Sequence, residues 1–510
     1  MSLGLPYCIM CTFWFHNAVV HFVIKSIFRL DIFEGLYYNK IEEKFVFESK
    51  GRILMTIQQK NETLSKAKTE LASQKGYERL AKLFDDGQYT EIDAFVRSAD
   101  GYAEVAAAHG TIDGLGVYAF AQNTDASRGA MSRAQAAKIK KVYDLALKTG
   151  EPVVAMYDSA GGRLDQGTDL LAAYGDILKY SNALSGVVPQ ISVVLGKCCG
   201  TQALIAVCGD IVIMTEKAEL SLNTSGGSAS ARENAEKGTA HITAADEDEA
   251  INKTRALVSI LPSNNLSTAC VAYDSISASG SVTADMTAAQ AALAVADEGS
   301  LIELQKDFGK TVTTALATIN GTTAGIAVLE GKTLDHKSCA KAARFIRLCD
   351  AFSMPIISFI NAESFECIKG AAKLASAYAE ATAPKITVIT GDAFGAVYIA
   401  AAGTGASADM TFAWTGASVS ALTPEAEAVI MLGDDLGGRL KGSKDPKKDR
   451  EAVVSEFRKN ELTAMKAAEN GYVDDIIEPS ETRERLVSAV EMLSNKRVST
   501  LPKKHNNLYI

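Results

Sequence analysis

The chain repeats itself once, imperfectly, over most of its length. Asp85-Asp86-Gly87 followed by Glu91-Ile92 returns as Asp297-Glu298-Gly299 followed by Glu303-Leu304. Thr111-Ile-Asp-Gly114 returns as Thr318-Ile-Asn-Gly321, and Pro152-Val-Val-Ala-Met-Tyr157 as Pro355-Ile-Ile-Ser-Phe-Ile360. Pro189-Gln-Ile-Ser-Val-Val-Leu-Gly196, with Gly200 beyond it, matches Pro384-Lys-Ile-Thr-Val-Ile-Thr-Gly391 and Gly395. The order is kept while the offset shrinks from 212 residues (Asp85 to Asp297) to 195 (Gly196 to Gly391). Two copies of one domain, the second carrying deletions, account for this pattern. A chain of 510 residues is also too long for a single core.

Within each copy, short continuous apolar runs such as 152–157, 191–195 and 209–214 have the character of strands covered on both faces. They alternate with helical patterns. Ser132-x-x-Gln135 reads as a capping box opening a helix whose Ile139, Val142 and Ala146 share a face, and Gly150 closes it. The second-half counterpart carries Phe345, Leu348, Cys349 and Phe352 at helical spacing. The pattern predicts a layered α/β fold. Residues 268–298 read as the connection between the halves, and the polar stretch 436–450 as a mobile surface loop.

Residues 1–54 differ in kind. They are rich in Phe and Tyr and hold one alanine, Ala18, whereas the rest is Ala-rich. Residues 8–23 are apolar but short for a span and carry His16, Asn17 and His21. No basic segment precedes them and no small-residue cleavage site follows, as a signal peptide would require. Lys50-Gly51-Arg52 can be encoded by a purine-rich run shortly before Met55, so the expected start is Met55, with 1–54 a non-native extension. A net charge of −9 argues against non-specific nucleic-acid binding, which needs a basic face. Cys8 and Cys11 form an isolated Cys-x-x-Cys without a second pair at zinc spacing, so no metal is expected. The remaining cysteines sit in apolar settings, as in a reducing cytoplasm.

Side-chain catalysts are scarce. His109, His241, His336 and His505 are the histidines beyond residue 54, none of them beside a Ser or Cys elbow. A structural role is expected for His241. The remaining chemistry belongs to the backbone: after a buried strand, Gly196-Lys-Cys-Cys-Gly200-Thr201-Gln202 turns into a helix whose first N–H groups can bind an oxyanion. Gly391-Asp-Ala-Phe-Gly395-Ala396-Val397 repeats the device. A second element, Asp158-Ser159-Ala160-Gly161-Gly162-Arg163, lets a ligand lie against small residues, with Arg163 able to bind phosphate or to pair with Asp165.

These residues resemble the carboxyltransferase (beta) subunits of biotin-dependent acyl-CoA carboxylases and the alpha subunits of acyl-CoA decarboxylases, in the crotonase-like superfamily. The likeness runs from about Tyr77 to Leu493. It rests on Gly87-x-x-x-Glu91, Asp158 to Arg163, Tyr174-Gly-Asp-Ile177, Ser185 to Ser192 and Leu261-Pro-Ser-Asn-Asn-Leu266. In the second half it rests on Ala342 to Phe352, Ala377 to Thr382, Phe412-Ala-Trp414 and Gly471 to Thr482. It implies two tandem crotonase-like ββα-spiral domains, 55–298 for acyl-CoA and 299–510 for biotin.

By position, the family's roles fall on Gly200 and Thr201 as donors to a thioester enolate, and on Gly395, Ala396 and Val397 as donors to the biotin ureido oxygen. Ser159, Ala160, Gly161, Gly162 and Arg163 would hold acyl-CoA. The biotin anion left after loss of CO2 can itself take the α-proton, which explains the missing histidine. Carboxybiotin would arrive on a separate biotin carboxyl carrier protein charged by a biotin carboxylase, because no Ala-Met-Lys-Met site and no ATP-grasp region occur here. The resemblance further implies a cytoplasmic homo-oligomer, a dimer or hexamer. Alternatives are a membrane-coupled acyl-CoA decarboxylase working with membrane subunits, a crotonase-like hydrolase using Asp158 or Glu363, and a non-catalytic assembly subunit. Two departures matter. Where relatives read Cys-Ala-Gly-Gly-Ala, this chain has Cys198-Cys199-Gly200-Thr201-Gln202, which is expected to crowd the site. The segment Asn361 to Gly370 is short and lacks Pro-Gly, which is expected to alter the biotin-side loop.

Overall fold

The structure is a computed structural model that describes residues 57–98, 101–223, 229–267, 276–401, 403–404, 406–441, 443–499 and 501–502. The extension 1–54 lies outside the described residues. The chain divides into two compact units, Met1–Ala72 and Ser73–Ile510. In the first, residues 57–72 form a helix. Everything that follows concerns the second.

Two sheets carry the same strands in the same order. The first runs Tyr89–Glu91, Val105–Ile112, Leu115–Gln122, Val153–Tyr157, Gln190–Val194, Ile211–Thr215, Ile242–Ala244. The second runs Ile302–Leu304, Val312–Ile319, Thr322–Leu334, Ile356–Phe365, Lys385–Phe394, Met410–Trp414, Asp475–Ile477. In each, the first three strands are antiparallel and the rest parallel. The predicted apolar runs are strands buried along their whole length, as parallel strands between two helical layers must be. Beyond each main sheet lies a short parallel pairing, Lys197–Cys199 with Glu219–Ser221 and Asp392–Phe394 with Ser418–Ser420.

The duplication extends to individual hydrogen bonds. Asp113-Gly114 and Asn320-Gly321 both have positive φ at two successive residues, the geometry of a type I′ hairpin turn. The turn amides are held by one carboxylate in each copy. Asp85 accepts from the Asp113 and Gly114 N–H groups (both 3.1 Å), and Asp297 accepts from Asn320 (2.9 Å) and Gly321 (2.7 Å). Each carboxylate is then bridged at 2.7 Å by an arginine from the helix that closes its repeat, Arg255 in Glu247–Ile260 and Arg483 in Thr482–Leu493. A buried lysine recurs as well. Lys138 donates to the Val105 carbonyl, and Lys341 to those of Val312, Gln305 and Phe308. Burial pulls both ammonium groups down to about 8.

Three local expectations change. The connection 268–298 contains a helix, Ala288–Val295, opened by a capping box at Thr287 and buried in the second core with Ile326, Phe412 and Trp414. It occupies the place that Lys75–Leu83 holds before the first sheet, since Leu83 and Val295 both give carbonyls to the bridging arginines. The expected loop 436–450 is mostly helical, spanning the end of Pro424–Leu440 and the start of Pro446–Glu461. Polarity there marks a solvated face. Asp445 caps Lys448 N–H with Pro446 at the first helical position, while Leu436 and Val454 are buried. Ser132 does cap Gln135 N–H, but the Gln135 side chain reaches the Glu104 and Gly129 carbonyls instead of completing a box.

The halves pack directly on each other. Arg344 donates to the Gly209 and Asp210 carbonyls, Thr323 to that of Ile260, and the Gln305 N–H to that of His241. His241 is structural, as expected. It is buried, its Nδ1 accepts the Val212 N–H at 3.1 Å, and burial pushes the imidazole down to about 3, with the Arg344 charge adding to the effect. The unfolded chain therefore takes up a proton below about 6.5 that the folded chain refuses, so stability falls as pH drops through that range. Between pH 7 and 5 this costs about 2 kcal/mol. His241→Asn keeps an acceptor for Val212 and removes the titration. The pH dependence of its melting temperature should be flatter than wild type by that amount, and equal slopes would refute the assignment.

Candidate active site

Strand Lys197–Cys199 runs into Gly200, whose φ of 73° and ψ of −143° suit glycine alone, and helix Thr201–Val207 starts at once. The parallel pairing continues one residue into this turn, so the Gly200 N–H is taken by the Ser221 carbonyl at 2.9 Å. Gly395 repeats this with Ser420, also at 2.9 Å. The expectation that Gly200 and Gly395 donate to a ligand is therefore corrected: their amides complete the short strand pairing. The next amides take over that capacity. Thr201 and Gln202 in one half, Ala396 and Val397 in the other, are first-turn residues with no carbonyl four residues earlier to accept from them in the helix. Thr201 and Ala396 are exposed, while Gln202 and Val397 are buried. A side chain built at Gly200 would meet nothing within 4 Å, so a ligand can approach this turn closely; at Gly395 it would meet the Ala421 carbonyl.

The loop 158–163 flanks the first turn. Ser159 N–H donates to the Lys197 carbonyl at 2.7 Å. Ala160 is exposed, and Gly161, at φ 116°, faces open space. The amides of the loop are spent internally, Ala160 on the Arg128 carbonyl and Gly161 on the Ser159 hydroxyl. Ser159 is buried, and a side chain at Gly162 would strike Leu170, so these two shape the loop from behind. Arg163 takes the Asp165 alternative. Its guanidinium bridges Asp165 (2.9 Å) and the buried Glu104 (3.2 Å), which accounts for its charge without a phosphate. Glu104 lies 59 residues upstream and could not be paired with it from sequence spacing.

Below the loop, Asp158 bonds the buried Arg79 at 2.8 Å, which also pairs with Glu247 at 3.0 Å. Gly196 leaves room for the Asp158 carboxylate, as Gly391 does for Asn361 at the same place in the second half. Of the side chains expected to crowd the site, Gln202 turns inward to Gln122, while Thr201 is exposed at the turn. A cleft of about 400 Å³ runs along the outer face of helix Thr201–Val207, lined by Leu204, Val207, Leu220, Leu222, Asn223 and Asn234 among others.

In the second half, the segment expected to be a short loop continues the strand as far as Phe365, paired to Thr322–Leu334, and Cys367 caps the following helix through Gly370 N–H. Asp392 is raised chiefly by burial and is paired with Arg458, and Glu363 adds to the rise.

A family model described as "Carboxyl transferase domain" matches residues 73–508. The chain belongs to the carboxyl transferase family. A methylmalonyl-CoA decarboxylase subunit alpha from Veillonella parvula is 34% identical over 487 residues, covering 84% of this chain and 92% of the relative. A propionyl-CoA carboxylase beta chain from Saccharopolyspora erythraea is 31% identical over 490 residues, covering 84% and 89%. Among solved structures, the transcarboxylase 12S hexamer with hydrolyzed methylmalonyl-coenzyme A bound superposes with a TM-score of 0.79. It is 28% identical and covers 90% of this chain and 98% of that one. The carboxyltransferase resemblance read from the motifs and the duplicated crotonase-like fold are both borne out, and the chain is an enzyme of the carboxyltransferase class.

Proposed function

We propose that this carboxyltransferase moves a carboxyl group between carboxybiotin on a separate carrier protein and the α-carbon of a short acyl-CoA. The observation that carries the reading is the repeated turn. At one place in both halves, a glycine with positive φ follows a strand of the short parallel pairing and leaves two successive amides without a helical partner. Such donors stabilise an oxyanion without reorganising, which suits chemistry lacking a side-chain base. In this reading Thr201 and Gln202 N–H groups hold the thioester enolate oxygen, and Ala160 and Gly161 give the acyl-CoA a surface. Ala396 and Val397 N–H groups hold the ureido oxygen of biotin, for which two adjacent donors are a chemical fit. Carboxybiotin supplies the carboxyl group and, once that has left, the basic nitrogen that accepts the α-proton.

We assign residues 55–298 to the acyl-CoA side and 299–510 to the biotin side, with helix Ala288–Val295 lent by the first segment to the second core. A biotin carboxyl carrier protein and a biotin carboxylase are the proposed partners, in a cytoplasmic homo-oligomer of hexameric kind like the transcarboxylase 12S. Among the described residues no helix is long and apolar enough to cross a membrane. The second reading is decarboxylation with membrane subunits, favoured by the likeness to methylmalonyl-CoA decarboxylase alpha subunits. A hydrolase using Asp158 is disfavoured by its ion pair with the buried Arg79. The purified chain should carboxylate propionyl-CoA when given biotinylated carrier, biotin carboxylase, ATP and bicarbonate. CoA release independent of biotin would favour the hydrolase instead.

A further inference from the structure

The two halves differ at one buried place beneath their turns. In the second half, Leu329 and Val397 occupy it, both fully buried. In the first half, the matching positions are Gln122 and Gln202, equally buried. Gln122 follows the Ala121–Met156 pair as Leu329 follows the Val328–Phe359 pair, and Gln202 and Val397 are each the second helical residue after the turn glycine. The fold alone is thus satisfied by two aliphatic side chains. Burying two amides instead is the more costly solution unless every group is paired, and here one is not: Gln202 Oε1 has no partner among the described residues.

The orientation of the amides follows from their backbone partners. Gln135 Nε2 donates to the Glu104 and Gly129 carbonyls, so its Oε1 accepts from Gln122 Nε2 at 3.2 Å. Gln122 Oε1 is left to accept twice, from the Asp158 N–H at 2.9 Å and from Gln202 Nε2 at 2.5 Å. One carbonyl oxygen therefore joins the first residue of the 158–163 loop to the second residue of helix Thr201–Val207. Those are the two elements that face the acyl-CoA in the reading above.

We propose that Gln202, acting through Gln122, is a positioning residue of the acyl-CoA half: it fixes the first-turn amides of helix Thr201–Val207 relative to the Asp158–Arg163 loop. The inference rests on the proposed reaction. A tether of this kind matters most when charge develops on the thioester oxygen, so its loss should lower kcat and leave the KM for acyl-CoA nearly unchanged.

The test uses the full chain with propionyl-CoA and a biotinylated carrier. Gln202→Val copies the second half and deletes the orphan acceptor. Its melting temperature should equal or exceed wild type while kcat falls about 10- to 100-fold, the scale of a displacement of about 1 Å in a preorganised site. Gln202→Met keeps the length of the side chain but cannot donate, and should show the same loss; it carries the test if the valine variant fails to fold. Wild-type kcat in a folded valine variant, or recovery of kcat in the methionine variant, would overturn the proposal and reduce Gln202 to packing. A wild-type chain that neither binds propionyl-CoA by calorimetry nor carboxylates it would defeat the parent reading as well. An active wild type with indifferent variants defeats this inference alone.

Discussion

Thr201→Pro is expected to reduce carboxyl transfer by about 10²- to 10³-fold, the usual effect of deleting one oxyanion donor. Proline at the first helical position is tolerated, since that amide has no helical partner and the ring presets the helical φ. Thr201 is exposed, so its side chain gives up no buried contact. The fold and the Gly200–Ser221 pairing should therefore survive, and circular dichroism with a thermal melt would verify this. Thr201→Ala is the control: it retains the N–H and should keep activity within a few-fold. Near wild-type transfer in the proline variant would remove the oxyanion role from this turn. Substituting Gly200 tests something else. Its N–H already serves strand pairing and its φ is positive, so any other residue there strains the backbone first.

This contrast shows where sequence reading ends. The duplication was legible because it is written in residues with strict backbone demands. Asp85 and Asp297, the positive-φ hairpin pairs and the glycines at 200 and 395 recur in order, and the structure gives each pair the same hydrogen bonds. The position of the turns was legible for the same reason. Which amide stays free was not. That depends on Ser221 and Ser420 arriving from strands some twenty residues further on, a pairing no local pattern announces. The Arg163–Asp165 pair was one of the two readings open in the sequence, but the second partner, Glu104, lies on a distant segment and was not legible. Crowding was expected from the 198–202 segment as a whole, and only the fold shows Gln202 facing inward to Gln122 while Thr201 stays exposed. The helices around residues 436–450 were hidden by composition, because a solvated helix and a loop share a polar vocabulary, and Asp445-Pro446 was the overlooked start signal.

The halves also make a prediction about assembly. If acyl-CoA binds the first half of one subunit and biotin the second half of another, every site is composite. Thr201→Pro and Ala396→Pro would each damage one component and be inactive alone. In a mixed dimer, one site then combines both defects and the other combines none. With random pairing, half of the dimers are mixed and half of their sites are intact, so co-expression should restore about a quarter of wild-type activity when two subunits form two independent sites. Sites contained within one subunit predict no restoration, because every chain carries a broken component. The second variant has a further use. Strand Ile356–Phe365 runs on through the segment that lacks Pro-Gly, where the sequence led one to expect an altered biotin-side loop. If Ala396→Pro alone leaves transfer intact, the second half receives biotin by another route, and co-expression would then give about half of wild-type activity and not a quarter, because half of the sites carry an intact first half.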